Sequence, residues 1–525
     1  MSASNPKPPQ ELGAWQRLAG LAQARAGTPV LGRATVRSRR LGPVFVDYSK
    51  QTLDDEVVEA LAALAAESNL AGAIAQLFSG ARINNTEDRP ALHMALRAPA
   101  GACTDEIATE RERFLALADA VRRGERRGYT GKPFETVVVV GIGGSQLGPE
   151  LVVDALRPPH ALTVRFLANI DGAAAVGTLA GLDPATTLVI VVSKSFTTLE
   201  VRVNAETARS WFLERTAEPR VVDGHFLAVT ANAAAAAEFG IPPGNRFAMW
   251  AWVGGRFSLW SAAGLPIAIA LGRHGFEDLL AGAHMVDEHF RETPPTDNIP
   301  VLLALMAIWN ANFHGAATHA VLPYDRRLRL LPGYLQQLEM ESNGKSVRQD
   351  GNAVGTHTAP VVWGGEETNG QHAFHQLLLQ GTRAFSADFI AVVRDGHALD
   401  DHHDWLLANC LAQSKAMWEG RAADGPLAKH RSVPGGHPST TLLLDELSPL
   451  SLGALLALYE HKVFCLGAIW QINAFDQWGV ELGKELAEPI HDELANGGGC
   501  GARHDGSTTG LLTQIRRARD PANTR

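Results

Sequence analysis

The sequence predicts an α/β protein with two doubly wound domains and helical extensions at both ends. Three observations carry that reading. Short apolar runs rich in β-branched residues, such as Thr136–Val140 and Thr187–Val192, alternate with stretches of helical periodicity. A second series of the same kind begins near residue 300. And 525 residues are too many for one hydrophobic core. Strands that are apolar on both faces belong to parallel sheets covered by helices on either side.

Taken in order, residues 1–110 read as an N-terminal helical segment. Within it, Asp54 to Gln76 is rich in Ala and Leu at helical spacing and is followed by the polar break Asn84-Asn85-Thr86-Glu87. Residues 111–290 read as the first α/β domain. Its strands are Thr136–Val140, Val164–Ile170, Thr187–Val192 and Phe226–Thr230. Its helices include Pro149–Leu156 and Thr198–Thr216, where Val201, Ala205, Ala208 and Phe212 share one face. Leu259 to Arg291 is a helical stretch between the two series. Residues 291–485 read as the second α/β domain, with strands His319–Leu322, Pro360–Trp363, Asp388–Val393 and Thr440–Leu444. Residues 486–525 read as a C-terminal helical tail. Parallel sheets bind ligands at the carboxyl ends of their strands, which places Gly141–Ser145 and Ser193–Thr198 on one rim of the first sheet.

Bulk properties exclude several classes. The formal net charge of −9 is spread along the chain, whereas a nucleic-acid binder needs a basic face. Cys103, Cys410, Cys465 and Cys500 lie far apart, so neither a CxxC metal site nor a disulfide framework is suggested, and buried thiols in a reducing compartment are expected. Met1 to Gln10 lacks the charged-then-apolar pattern of a signal peptide, and the apolar run Ile299 to Trp309 is too short to span a bilayer. A cytoplasmic protein without membrane or nucleic-acid partners is the expectation.

Several segments carry chemistry. Gly141-Ile142-Gly143-Gly144-Ser145 ends a strand and opens a helix, where glycines let a ligand approach and the helix N-terminus favours an anion. A dinucleotide site is the rival reading, with Asp171 near the end of the next strand, but Gln146 stands where the third glycine of that fingerprint is needed. Ser193-Lys194-Ser195-Phe196-Thr197-Thr198 sets four hydroxyls and an ammonium at another helix start, which suits a phosphate monoester better than plain capping does. Arg256, after Gly254-Gly255, is either a fixed cation in a cleft or a surface residue beside a turn. Glu339 and Glu341 sit near a helix end that Asn343-Gly344 closes, where the dipole disfavours carboxylates. Local evidence alone favours a solvated helix end there. His372 in Thr368–His372 and Lys484 in Phe475–Lys484 are each, taken singly, more often structural or solvated.

Together, and in this order, these segments resemble the glucose-6-phosphate isomerase (phosphoglucose isomerase) family. Gly128-Tyr129-Thr130-Gly131-Lys132, Gly141–Ser145, Ser193–Thr198, Trp252–Ser261, Tyr334–Lys345, Thr368–His372 and Phe475–Lys484 carry the likeness, which runs from about Asn84 to about Leu511. The Gly-Gly-Arg-Phe-Ser and Phe-Asp-Gln-Trp-Gly-Val-Glu-Leu-Gly-Lys segments are the most specific. The resemblance implies sugar-isomerase-type α/β/α domains and reversible isomerisation of glucose 6-phosphate to fructose 6-phosphate through a cis-enediol. It implies Glu341 as the base, Arg256 as the cation beside it, and His372 and Lys484 as the ring-opening groups. Ser193, Lys194, Ser195, Thr197 and Thr198 match the phosphate cradle, Gly144 and Ser145 contribute to the sugar-phosphate site, and Gln337 and Gln477 line the sugar. Ser195 stands where the family usually has Thr, and Gln146 where it has Asp. The resemblance further implies no metal, no redox cofactor, and a homodimer whose composite site takes His372 from the partner. A broader isomerase that also accepts mannose 6-phosphate, and a non-catalytic sugar-phosphate sensor, are the alternatives.

Overall fold

Parallel pairing dominates the two sheets around which the chain is organised. The computed structural model describes residues 7–26, 35–216, 218, 220–496 and 504–520; Met1 to Pro6 and Cys500 lie outside them. The chain divides into two units, Met1–Phe475 and Asp476–Arg525.

In the first unit, β1 (Ser38–Leu41) and β2 (Val44–Asp47) form a hairpin. The five-stranded sheet follows: β3 (Thr136–Val140), β4 (Thr163–Leu167), β5 (Thr187–Val192), β6 (Phe226–Thr230) and β7 (Arg246–Ala248). Its order is β4-β3-β5-β6-β7, all parallel. The chain leaves β3 for β4 on one side and returns to β5 on the other. The carboxyl ends of β3 and β5 therefore flank a topological switch point, the place where such sheets bind ligands. β8 (Thr318–Tyr324), β9 (Val361–Gly364), β10 (Phe385–Arg394) and β11 (Ser439–Glu446) make the second parallel set, in the order β11-β10-β8-β9. Every residue of β5 is buried, as its continuous apolar run requires.

Three features depart from expectation. The N-terminal segment is not helical throughout, because the β1–β2 hairpin extends the second sheet through antiparallel pairing of β2 with β11. Its signal was the turn pair Gly42-Pro43 between two four-residue runs, too short to show a period. The short edge strand β7 was not anticipated, and β4 stops at Leu167, leaving Ile170 exposed. The stretch expected to be helical from Leu259 starts its α-helix only at Leu265 and is broken at Gly272, whose φ of 84° the α-helix does not tolerate.

The helix Pro449–Trp470 runs through the core, started by a capping box between Ser448 and Ser451. It is long and apolar enough to cross a membrane, but 94% of its apolar window is buried inside the protein. Its buried charged residues bond to distant segments. Glu460 accepts from the fully buried Arg97 at 2.5 Å and from Trp260 Nε1 at 2.8 Å, while Asp287 takes the other side of Arg97 at 2.6 and 2.7 Å. This network ties residues 93–97 to the segment that carries Arg256.

The second unit contains the helices Glu481–Asn496 and Gly506–Arg519. Asp505 caps the latter, accepting from the backbone N–H groups of Ser507 and Thr508.

Candidate active site

The turn after β3 is shaped by close packing. Gly143 takes a φ of 58°, open to glycine at little cost. A Cβ on Gly144 would lie 2.0 Å from the carbonyl oxygen of Gly255 and 2.5 Å from the nitrogen of Arg256. The backbone of 143–145 thus lies directly on the 3₁₀ segment Gly255–Trp260, and Ser258 Oγ donates back to the Gly144 carbonyl at 3.3 Å. A Cβ on Gly143 would meet the Gln337 amide at 3.0 Å. Three segments distant in sequence meet here.

Arg256 is 3% exposed, so the surface alternative is excluded. Its Nε donates to Ser342 Oγ at 2.6 Å and a terminal nitrogen donates to the Ala474 carbonyl at 2.5 Å. The other terminal nitrogen lies 3.5 Å from Glu341 Oε2, which also accepts from Gln337 Nε2 at 2.9 Å. Glu341 retains 24% side-chain exposure, enough to meet a ligand. It closes the π-helical turn Gln336–Glu341, and such turns recur at functional sites. The solvated helix end favoured by local sequence is also excluded: Ser342 and Asn343 are fully buried, and Glu339, 3% exposed, pairs with Lys462 at 3.0 Å.

Ser193–Thr198 forms a tight loop after β5. Phe196 adopts φ 58°, a left-handed conformation rare for a bulky residue, and its N–H donates to Ser193 Oγ at 3.1 Å. Ser193 Oγ lies 3.3 Å from Thr198 Oγ1, and Thr197 Oγ1 donates to Ser195 Oγ at 2.9 Å. Thr198 precedes the helix Leu199–Leu213, and no side chain caps that helix start. Two hydroxyl pairs therefore sit at a helix start that the Thr198 side chain leaves uncapped, the chemistry of an anion cradle. Lys194 is placed differently from its neighbours. Its ammonium donates to the carbonyls of Ala251 at 2.6 Å and Val253 at 2.9 Å, tying the loop to the approach to Arg256. Burial, then the nearby charge of Arg89, holds its pKa below that of an ordinary lysine.

His372 lies exposed in the 3₁₀ turn Asn369–His372 after β9. Among the described residues it shares no hydrogen bond or ion pair with Glu341 or Arg256. Gln477 and Lys484 belong to the second unit, where Lys484 pairs with Glu481 at 2.7 Å. Asp171, the basis of the dinucleotide alternative, caps the helix Gly172–Leu179, its Oδ1 accepting from Ala173 N at 2.9 Å.

Most of the chain has known relatives. Residues 47–512 match the family model described as phosphoglucose isomerase. The chain belongs to that family. It is 49% identical over 508 residues to "Glucose-6-phosphate isomerase 1" of Thiobacillus denitrificans, covering 92% of both chains. It is 50% identical over 490 residues to the protein of that name from Chromohalobacter salexigens, covering 91% of this chain and 88% of the other. The crystal structure of a glucose-6-phosphate isomerase from Chlamydia trachomatis superposes with a TM-score of 0.85 at 31% identity, over 98% of this chain and all of that one. The span matched by the phosphoglucose isomerase family includes every site residue named above.

Sequence reasoning missed Ser342, which fixes the Arg256 side chain, and the Glu339–Lys462 pair, which anchors the π-turn from behind. It also missed His225, whose Nδ1 faces the Thr187 carbonyl at 2.7 Å while Nε2 accepts from Tyr129 N at 3.0 Å. That imidazole holds the Gly128–Lys132 segment in place. Gln146 donates to Glu150 at 2.6 Å, and burial raises the Glu150 pKa. A neutral amide here spares the site a second carboxylate against a carboxyl already costly to ionise.

Proposed function

We infer that this chain interconverts glucose 6-phosphate and fructose 6-phosphate with Glu341 as the base. The observation that carries the assignment is the Glu341 carboxylate, partly open to solvent, held 3.5 Å from a buried guanidinium. Proton transfer between adjacent carbons needs one carboxylate that takes a proton from C2 of the open aldose and returns it to C1. The intermediate enediolate carries charge on oxygen, and Arg256 offsets that charge without surrendering a proton. The phosphate occupies the hydroxyl loop Ser193, Ser195, Thr197 and Thr198 beside Gly144 and Ser145, with Lys194 bracing the loop. Gln337 orients both the sugar and Glu341. Binding energy at the remote phosphate then positions the reacting carbons.

Ring opening is assigned to His372 and Lys484, with Gln477 lining the sugar. The site is composite: His372 is supplied by the partner subunit of a homodimer. The exposure of His372, which leaves its ring accessible to a second chain, supports this. A cytosolic setting fits three cysteines that are free among the described residues.

The decisive experiment is a coupled assay with chelator present. Wild-type protein should convert glucose 6-phosphate, and Glu341→Gln should lose about three orders of magnitude in kcat, roughly 4 kcal/mol, while inorganic phosphate still competes for the site. Retained turnover in the variant would assign the base elsewhere. For the composite site, inactive Glu341→Gln and His372→Ala proteins should regain activity when dissociated together and reassociated. No regain under subunit exchange would place both groups in one chain.

A further inference from the structure

Two consecutive backbone carbonyls hold the two charged parts of the site. The Ala474 carbonyl accepts from Arg256 at 2.5 Å, and the Asn473 carbonyl accepts from Lys345 Nζ at 2.9 Å. The same ammonium donates to the carbonyls of Glu341 at 3.2 Å and Ser342 at 3.0 Å. One cation therefore ties the backbone of Glu341 to the residue adjoining the one that fixes Arg256. Asn473 is itself immobilised. It is 5% exposed, its Nδ2 donates to Asn84 Oδ1 and Thr86 Oγ1 at 2.9 Å each, and its Oδ1 accepts from Phe475 N at 3.0 Å.

A lysine on the last carbonyls of a helix is ordinary capping. Capping does not account for the third bond, which reaches 128 residues along the chain to Asn473. We propose that Lys345 is a positioning residue for the proton transfer, setting the distance between the Glu341 carboxylate and the Arg256 guanidinium by locking both to the 473–474 segment. The proposal rests on Glu341 being the base and adds how that base is aimed. Displacing a reacting group by about 1 Å can cost about 100-fold in rate, so a lost tether should show in turnover before it shows in substrate binding.

The test compares Lys345→Met and Lys345→Arg with wild type. In Lys345→Met, kcat should fall about 10- to 100-fold, with KM for fructose 6-phosphate and the inhibition constant of inorganic phosphate within about two-fold of wild type. Lys345→Arg should recover part of the loss. Inhibition by a hydroxamate that mimics the planar enediolate should weaken in proportion to kcat, because both report the Glu341–Arg256 geometry. Wild-type kcat in Lys345→Met, or equal losses in kcat and in phosphate affinity, would overturn the proposal. If Lys345→Met does not fold, Asn473→Asp carries the same expectation: folded protein with wild-type kcat sinks the idea. Glu341→Gln run in parallel separates the two claims. Turnover retained there removes the base assignment, whereas its loss beside an unaffected Lys345→Met removes only the tether.

Discussion

A guanidinium can serve several partners in one plane where an ammonium serves a compact point, and Arg256 depends on that shape. It reaches Ser342 Oγ, the Ala474 carbonyl and the Glu341 carboxylate through three different nitrogens. Arg256→Lys keeps the charge but cannot span those partners. Its kcat should fall about 100- to 1,000-fold, the range expected for losing one preorganised stabiliser of a developing oxyanion, with KM changed by no more than a few-fold. Steady-state kinetics in both directions checks this; a large KM effect with little change in kcat would make Arg256 a binding group instead. At this scale the sequence showed the residue types and their order. It did not show that Arg256 is buried, because burial is decided by Ser342 and Ala474, 86 and 218 residues away in sequence.

At the scale of elements, the site depends on how segments are braced against one another. The π-turn bearing Gln337 and Glu341 is held from behind by the Glu339–Lys462 pair, both partners 3% exposed. Breaking a buried ion pair on one side leaves a stranded charge and typically costs about 3–5 kcal/mol. Glu339→Gln should therefore destabilise the protein by about that amount in denaturant titration, and adding Lys462→Met should restore much of the loss. A Glu339→Gln protein as stable as wild type would contradict the bracing. Gly144→Ala acts at the other contact: its Cβ would collide with the backbone of Gly255, which cannot rotate away. We expect a loss of about 1–3 kcal/mol in stability together with lower activity, checked by thermal melting and assay. Strands β3, β5 and β6 were legible because their apolar runs carry their own signal. The β1–β2 hairpin and β7 were not, since strands of three or four residues gain their definition from pairing with β2's neighbour β11 and with β6.

At the scale of the whole molecule, buried histidines couple stability to pH. Burial first, and then the charge of Arg97, pushes the His93 pKa well below its ordinary value; burial likewise lowers that of His225 despite its bond to the Thr187 carbonyl. Unfolded, both would titrate near about 6.5, so below that pH the unfolded chain binds more protons than the folded one. Stability should thus fall as pH drops from about 7 to about 5, with the unfolding midpoint as the measure. His93 stacks on Phe257 at 4.6 Å, so His93→Phe should keep the ring contact and flatten the slope. An unchanged slope would show that these histidines do not set it.

What the sequence determined by itself was the kind of protein and its reagents. Apolar runs set the parallel sheets, and the order of short motifs set the family, because both are local patterns written along the chain. What only the tertiary structure decided was which of those reagents share a site. Glu341 looked like a solvated helix end because its partners, Arg256 from one side and Lys462 through Glu339 from the other, come from segments 85 to 123 residues away. Burial and pairing arise when distant segments exclude water together, and no local pattern records that.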